Sequence, residues 1–380
     1  MSNPRYKSKS DMNHSIMLSP HDGTLVFIVL FLIIIGLLAI FSAGAPKCIM
    51  QGTSSTFFVA RQFVWFLLGL FAMFFISHIN YRFYERIAIP FAWFVILLLI
   101  CVHFFGTTVN GAQRWLSIGP VQFQPSEASK LAVIMLLASC FSKNIRIFDM
   151  SQFKYYIPII IMAGLIFKQP NLSMVIILGL SSIFMYFAAG GSVKLILTMT
   201  GLAFLGGSTL IRSFQKQRIM IWLNPDADPY GAGYNIIQSM LAFVAGGFFG
   251  EGYGNSRQKL GWLPEGHTDF IYAVLGEEFG FLGCLIIIGL FLAFLQRGLL
   301  ISNKCEDIFG KLLAGGITVS ICIQAFINIS VASSMLPATG VPMPFISYGG
   351  TSLFITMCMV GILLNISKKR IRKIAQFNEQ

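Results

Sequence analysis

Ten stretches of the chain are nearly free of polar side chains, and short polar or Gly/Pro-rich segments separate them. An apolar run of about 20 residues crosses the hydrocarbon core of a bilayer as a helix. In lipid the backbone must satisfy its own hydrogen bonds, which leaves helices and closed barrels as the spanning structures. The pattern predicts spans at roughly 24–44, 58–77, 88–106, 128–142, 155–167, 172–190, 193–212, 270–297, 311–333 and 349–367. Only Lys168, Gln169, Pro170 and Asn171 part the fifth from the sixth, so these two also read as one broken helix. The fold expected is an all-α polytopic membrane protein of about ten transmembrane helices. It comprises an N-terminal tail (1–23), a ten-helix domain (24–367) and a basic C-terminal tail (368–380), with a long outer loop, 213–269, between spans seven and eight. No internal repeat or soluble-domain linker interrupts this pattern.

Composition agrees. Hydrophobic residues make up 56% of 380, mean hydropathy is +0.74, and only 11% of residues are charged. The first apolar run is longer than a signal-peptide core, ends without a convincing cleavage site and is followed by many equal runs, so it reads as a retained span. Seven cysteines fall mostly inside apolar runs with no CxxC, which suits small core residues better than disulfides or a zinc site.

Charge sets the orientation. With both termini on the cytoplasmic side, 17 of the 27 lysines and arginines lie on that side, and four of the other 10 sit in the one long loop. Positive residues concentrate in cytoplasmic loops, so the net charge of +12 reflects topology and attraction to anionic lipid. Nucleic acid is excluded as a partner, because the basic residues are scattered through short loops. The outer face then carries 107–127, the QPN break, 213–269 and 334–348, where the Gly/Pro-rich sequence concentrates.

Candidate chemistry gathers on that face. In QPSEASKL, Pro125 and Ser126 read as a helix start, with Glu127 in its first turn and Lys130 on the same face. The two form either a rim ion pair or a shielded pair in a polar cavity. Arg114 in GAQRW suits a phosphate or diphosphate, while Trp115 suits headgroup depth. The stretch 233–252, GYNIIQSMLAFVAGGFFGEG, is too interrupted for a span and too apolar for a free loop, and reads as interfacial or re-entrant. Arg257 and Lys259 follow it, either solvated or facing an anionic substrate. Then LPEGHTDFIYAVLGEE places Glu265, His267, Asp269, Glu277 and Glu278 within sixteen residues. Thr268 or Asp269 could N-cap the next helix, which would account for one acid only. Glu277 lies about 12 Å further along a helix axis at about 1.5 Å per residue, within membrane depth. His267, with no second His or Cys nearby, is a poor metal ligand. These residues suggest carboxylate chemistry or a cation path at the outer leaflet, with Arg114, Lys130, Arg218, Arg257 and Lys259 as the available cations.

Three long stretches, GAQRWLSIGPVQFQPSEASKLA, the run from GYNIIQSM to GEEFGFLG, and LPATGVPMPFISYGG, resemble the SEDS family of FtsW, RodA and SpoVE over about 24–367. GNSRQKL before LPEGHTDFI is closer to the FtsW and SpoVE branch. The resemblance implies a ten-span peptidoglycan glycosyltransferase of the bacterial cytoplasmic membrane, acting at the division site among other divisome proteins. Its substrates would be lipid II and the growing glycan strand, and a class B penicillin-binding protein its partner transpeptidase. It implies that Asp269 is the essential carboxylate and that Glu127 and Lys130 line the same cavity. A sugar hydroxyl nucleophile then needs a general base, and a diphosphate leaving group needs cations or a divalent Mg or Mn. Glu265, His267, Glu277, Glu278 and Ser347 are expected in supporting roles. The chain departs from the family pattern at Asn171 (commonly Asp), Ser173 (Gly), Gly266 (Ala), Ser334 (Gly) and Ala338 (Thr). A lipid II transporter and a non-catalytic division scaffold are the competing readings. The outer-face position of the ionisable cluster disfavours the transporter, since transporters bind near the midplane.

Overall fold

The computed structural model describes residues 22–109, 112–119, 121–143, 152–198, 200–201 and 213–377. In chain order the elements are α1 (Gly23–Met50), α2 (Phe57–His78), α3 (Arg82–Phe105), β1 (Thr107–Val109), β2 (Ala112–Ile118), β3 (Val121–Phe123), α4 (Pro125–Phe141), α5 (Phe153–Lys168), α6 (Leu172–Ala188), α7 (Ser213–Leu223), α8 (Tyr234–Gly246), α9 (Ile271–Lys304), α10 (Ile308–Ala332) and α11 (Gly350–Phe377). Nine of the ten predicted spans stand as helices. Most of the other, 193–212, lies outside the described residues, as do the tail 1–21 and residues 378–380. Among the described residues, α1, α2, α3, α9, α10 and α11 are each long and apolar enough to cross a membrane.

At the centre stands α4, whose 17 residues are all buried, packed by α3, α5, α6, α10 and α11. A helix apolar all round belongs in such a place, yet this one also carries Ser126, Glu127, Ser129 and Lys130 inside the bundle. The outer helices turn apolar side chains outward, as Phe71 and Phe74 do on α2, 72% and 63% exposed.

Polar clips sort the loops into two sets. At one end Arg297 donates to both carboxylate oxygens of Asp22, 2.8 and 2.7 Å, while Asp22 caps α1 by accepting from the Leu25 N–H. Asn365 accepts from the Tyr81 N–H and donates to the Ser77 carbonyl at the same end. The opposite end gathers the three strands, residues 169–171, the stretch from Arg218 to Asp269 and 334–348, all within the segments expected on the outer face (107–127, the QPN break, 213–269 and 334–348).

Two features depart from the all-helical expectation. β1, β2 and β3 form a three-stranded antiparallel sheet in that order, pairing Thr107 with Trp115 and Ser117 with Gln122. The span expected at 270–297 is longer, 34 residues, and is broken at Gly280, whose φ of 64° and ψ of −163° leave helical space. Ile271–Phe279 is therefore a separate half-helix, buried through Glu278. A glycine hook after α8 satisfies the break. The N–H groups of Glu251 and Gly252 bond the carbonyls of Glu277 and Glu278, and those of Phe281 and Leu282 bond the carbonyls of Gly247 and Phe248. Gly250, at φ +85°, comes so close that an added Cβ would lie 2.2 Å from the Glu278 carbonyl oxygen. The segment expected to be interfacial or re-entrant is thus α8 plus this hook.

Candidate active site

The site begins at the N-terminal end of α4. Pro125 opens the helix, where its missing N–H costs nothing. One turn in, Lys130 Nζ lies 2.7 Å from a Glu127 carboxylate oxygen, with both side chains almost fully buried. This is the shielded alternative for the pair, and the rim alternative is set aside. Lys130 also donates to the Gln324 amide oxygen, and Gln324 Nε2 donates to the Pro342 carbonyl at 2.8 Å. One turn further along α10, Asn328 Nδ2 donates to the carbonyls of Asp269 and Val341, at 2.8 and 2.7 Å. Gln324 and Asn328, four residues apart, share a helix face. They join the α4 ion pair, segment 334–348 and the backbone of Asp269. Neither was singled out from the sequence, although two amides at i, i+4 within ICIQAFINIS were the signal for them.

Segment 334–348 closes the same end of the bundle. Ser173 Oγ donates to the Thr339 carbonyl (2.7 Å), Arg218 to that of Ala338 (3.1 Å) and Trp222 to that of Ser334 (2.8 Å). Ser347 Oγ donates to the Thr268 carbonyl (2.7 Å) and accepts from the Met343 N–H (2.8 Å), and the Tyr348 N–H donates to the His267 carbonyl (3.1 Å). Ser347 therefore splices this segment to the one carrying Asp269. Gly340 has φ +72°, and a Cβ there would meet Asp269 Oδ2 at 3.6 Å. Its bare backbone leaves room over the carboxylate. Asn171 accepts from the Met174 N–H at 3.3 Å and so N-caps α6, a role it shares chemically with the Asp more common there.

Asp269 caps no helix. The N-cap of α9 is Phe270, with no side-chain capping bond, and the Thr268 hydroxyl is bonded to Glu265 Oε2 at 2.8 Å. The Asp269 carboxyl is half-buried. Burial, then the Glu265 charge, push its pKa up to about 6, against the pull of Arg114 and Arg218. Arg114 is aimed by bonds from its guanidinium to the carbonyls of Gln169 and Pro170. Its pKa is lowered by burial and by Arg218, and supported by Asp269. Asp269, Arg114, Arg218 and Glu265 thus form one electrostatic group.

The other expected residues lie outside it. His267 is buried between the rings of Phe58 (4.7 Å) and Tyr348 (6.0 Å), and burial with the nearby Lys47 lowers its pKa to about 4. It is a neutral packing residue at neutral pH. Glu277 accepts from the Ser256 hydroxyl and from the N–H groups of Arg257 (2.8 Å) and Gln258 (3.3 Å). Glu278 pairs with Lys259 at 2.8 Å, and Ser42 of α1 bonds both partners. Lys259 is buried, whereas the Arg257 side chain is exposed. Among the described residues no three His, Cys, Asp or Glu side chains gather as metal ligands. Asp269 and Glu265 are the carboxylates at hand, a pair of the kind that holds Mg or Mn only together with substrate phosphates. None of the seven cysteines is in a disulfide.

Comparison with known proteins agrees with this architecture. The family model FTSW_RODA_SPOVE, described as a cell cycle protein, matches residues 23–372. The chain is 38% identical over 357 residues to a probable peptidoglycan glycosyltransferase FtsW of Trichlorobacter lovleyi, covering 92% of this chain and 94% of that one. It is 39% identical to stage V sporulation protein E of Bacillus subtilis (91% and 97% covered) and 36% identical to peptidoglycan glycosyltransferase MrdB of Escherichia coli (97% and 97%). Among solved structures, a chain from a peptidoglycan synthase complex that coordinates polymerization and crosslinking superposes with a TM-score of 0.75 at 28% identity, covering 92% of this chain and 98% of that one. The rod shape determining protein RodA of Thermus thermophilus superposes with 0.69 at 26% identity, covering 92% and 97%. With a family model matched along nearly its whole length and relatives well above 30% identity, the chain belongs to the FtsW/RodA/SpoVE family of SEDS proteins.

Proposed function

We propose that this protein is a peptidoglycan glycosyltransferase that polymerises lipid II on the outer face of the cytoplasmic membrane. Its setting is septal wall synthesis among divisome proteins, and its partner is a class B penicillin-binding protein. The observation that carries the reading is Asp269. It is a carboxylate that caps no helix, has its backbone fixed by Asn328, is influenced by two guanidiniums and has a pKa of about 6. A general base works best with a pKa near the operating pH. The acceptor sugar's 4-hydroxyl gives its proton to Asp269 as its oxygen bonds to the anomeric carbon of the donor. The bond from that carbon to the diphosphate oxygen breaks, and undecaprenyl diphosphate leaves with the electron pair. Arg114 and Arg218 are the cations nearest to meet that charge, and the Glu127–Lys130 pair lies on the same hydrogen-bonded framework. Relatives named peptidoglycan glycosyltransferases and the likeness to a synthase-complex chain support the reaction class and a crosslinking partner.

The test is polymerisation of lipid II by the purified protein in lipid vesicles, read as glycan strands on a gel. Wild type should form polymer, and Asp269→Asn should lose about 10²- to 10⁴-fold in rate while inserting normally. Lipid II crossing the bilayer without polymer would favour the transporter. An Asn variant as fast as wild type would remove Asp269 as the base.

A further inference from the structure

We infer that Glu278 with Lys259 and Ser42, and Glu277 with the 255–258 turn, are positioning residues that hold Asp269 in place from the far end of its half-helix. The inference rests on the glycosyl-transfer reading above. Asp269 stands two residues before the half-helix Ile271–Phe279, and Glu277 and Glu278 close its other end. The break at Gly280 means that the following span does not set the direction of the half-helix through a continuous helical ladder. Its register must come from lateral contacts: apolar packing of Ile271–Leu275, bonds to the backbone at the Asp269 end from Asn328 and Ser347, and a buried charged set at the Glu277–Glu278 end. Four backbone bonds to the glycine hook flank the break. Glu277 is committed to one hydroxyl and two backbone N–H groups of the 255–258 turn. Glu278 is committed to Lys259 and to Ser42, which brings in α1. Neither carboxylate faces the group around Asp269, and both are buried, at 0% and 1% exposure.

A second buried ion pair is an odd choice if stability were its only effect. Exchanging such a pair for apolar residues is often neutral or stabilising, whereas removing one partner leaves a lone buried charge. What the charges add is directionality. Three elements that a purely apolar contact would let slide (α1, the loop through Lys259 and the half-helix) are fixed at one point. Eight residues separate Asp269 from Glu277, about 12 Å of helix. A small tilt at the clamp is thereby carried to the carboxylate, and a misplacement of about 1 Å from remote groups can cost about 10²-fold in rate.

The test measures kcat and KM for lipid II with wild type, Glu278→Gln, Lys259→Met, the double variant of these two, Ser42→Ala and Ser256→Ala. Rates are normalised to the monodisperse fraction from size-exclusion chromatography. Each charged single variant should lose at least about tenfold in kcat with KM little changed, since substrate contacts are intact. The double variant, free of the lone charge, should recover much of that loss. The two serine variants keep all charges and loosen the clamp, and they should lose kcat alone; they decide the matter if the charged singles do not fold. Unchanged normalised kcat in the folded variants overturns the inference, and so does a loss that appears in KM. Absence of polymer from wild type would instead overturn the glycosyl-transfer reading.

Discussion

Burial and Glu265 hold a proton on Asp269 up to about pH 6, while Arg114 and Arg218 pull it off. The reaction needs the carboxylate, so kcat/KM should rise with pH through about 6 and then level. Glu265→Gln removes a negative neighbour and should move that limb to lower pH, while Arg218→Gln should move it higher. A pH profile that ignores both changes would mean that another group titrates. Stability follows with its own sign. The folded-state pKa lies above the value of about 3.9 expected for an unfolded Asp. Asp269 therefore stabilises the fold relative to its unfolded form below about pH 4, and that contribution is lost as pH rises through about 6. Asp269→Asn should consequently be more stable than wild type at pH 7.5, by an order of 1–3 kcal/mol. The gap should close at low pH, as read by thermal unfolding in detergent. A less stable Asn variant would make the carboxylate a structural anchor. At this scale the sequence was legible where a residue stood out against its neighbours: acids before an apolar run, or Arg114 in a Gly-rich loop. Ser42 and Gly340 carried no such contrast, because their importance lies in what the fold brings within a few ångströms of them.

Helix α4 holds two ionised side chains where its other residues are apolar or small. Breaking a buried pair costs roughly 3–5 kcal/mol, so Glu127→Ala and Lys130→Ala should each impair folding or activity severely. The double variant should fall well short of the sum, because one substitution has already removed the partner. A double-mutant cycle with additive effects would make them independent groups. The helical elements themselves were readable from hydrophobic runs, with α2, α4, α5, α6 and α10 found within three residues of their predicted ends, while α1 and α11 run on past theirs. The sheet at 107–123 was not, because two of its strands have three residues each, too short for an alternating pattern to register. The break in α9 was hidden for a related reason. Glycine inside an apolar run is tolerated in membrane helices, and only its pairing with the hook gives Gly280 a non-helical backbone.

The clips at Asp22–Arg297 and Ser42–Glu278 bind the two ends of α1 to opposite ends of α9, so the two helices run antiparallel and the loops divide into two fixed sets. Which set faces the cytoplasm is read from charge, 17 basic residues against 10. Reporter fusions after Gln380 and near Asp228 should therefore give cytoplasmic and outer signals respectively, and the same side for both would invert the mechanism's location. The break at Gly280 has a consequence for the membrane as a material. A span adjusts to a thicker or thinner bilayer by tilting or by deforming the lipid around it. Here the lipid-facing part of α9 begins after the break, while the segment bearing Asp269 is clamped to α1 and the 255–260 turn. The gap removes the continuous helical ladder between the two parts, so a tilt of the later helix reaches the carboxylate only through the hook and α1. Polymerisation rates in vesicles of stepwise longer acyl chains should then remain flat, and replacing Gly280 with Ala, which favours one continuous rod, should make the rate depend on chain length.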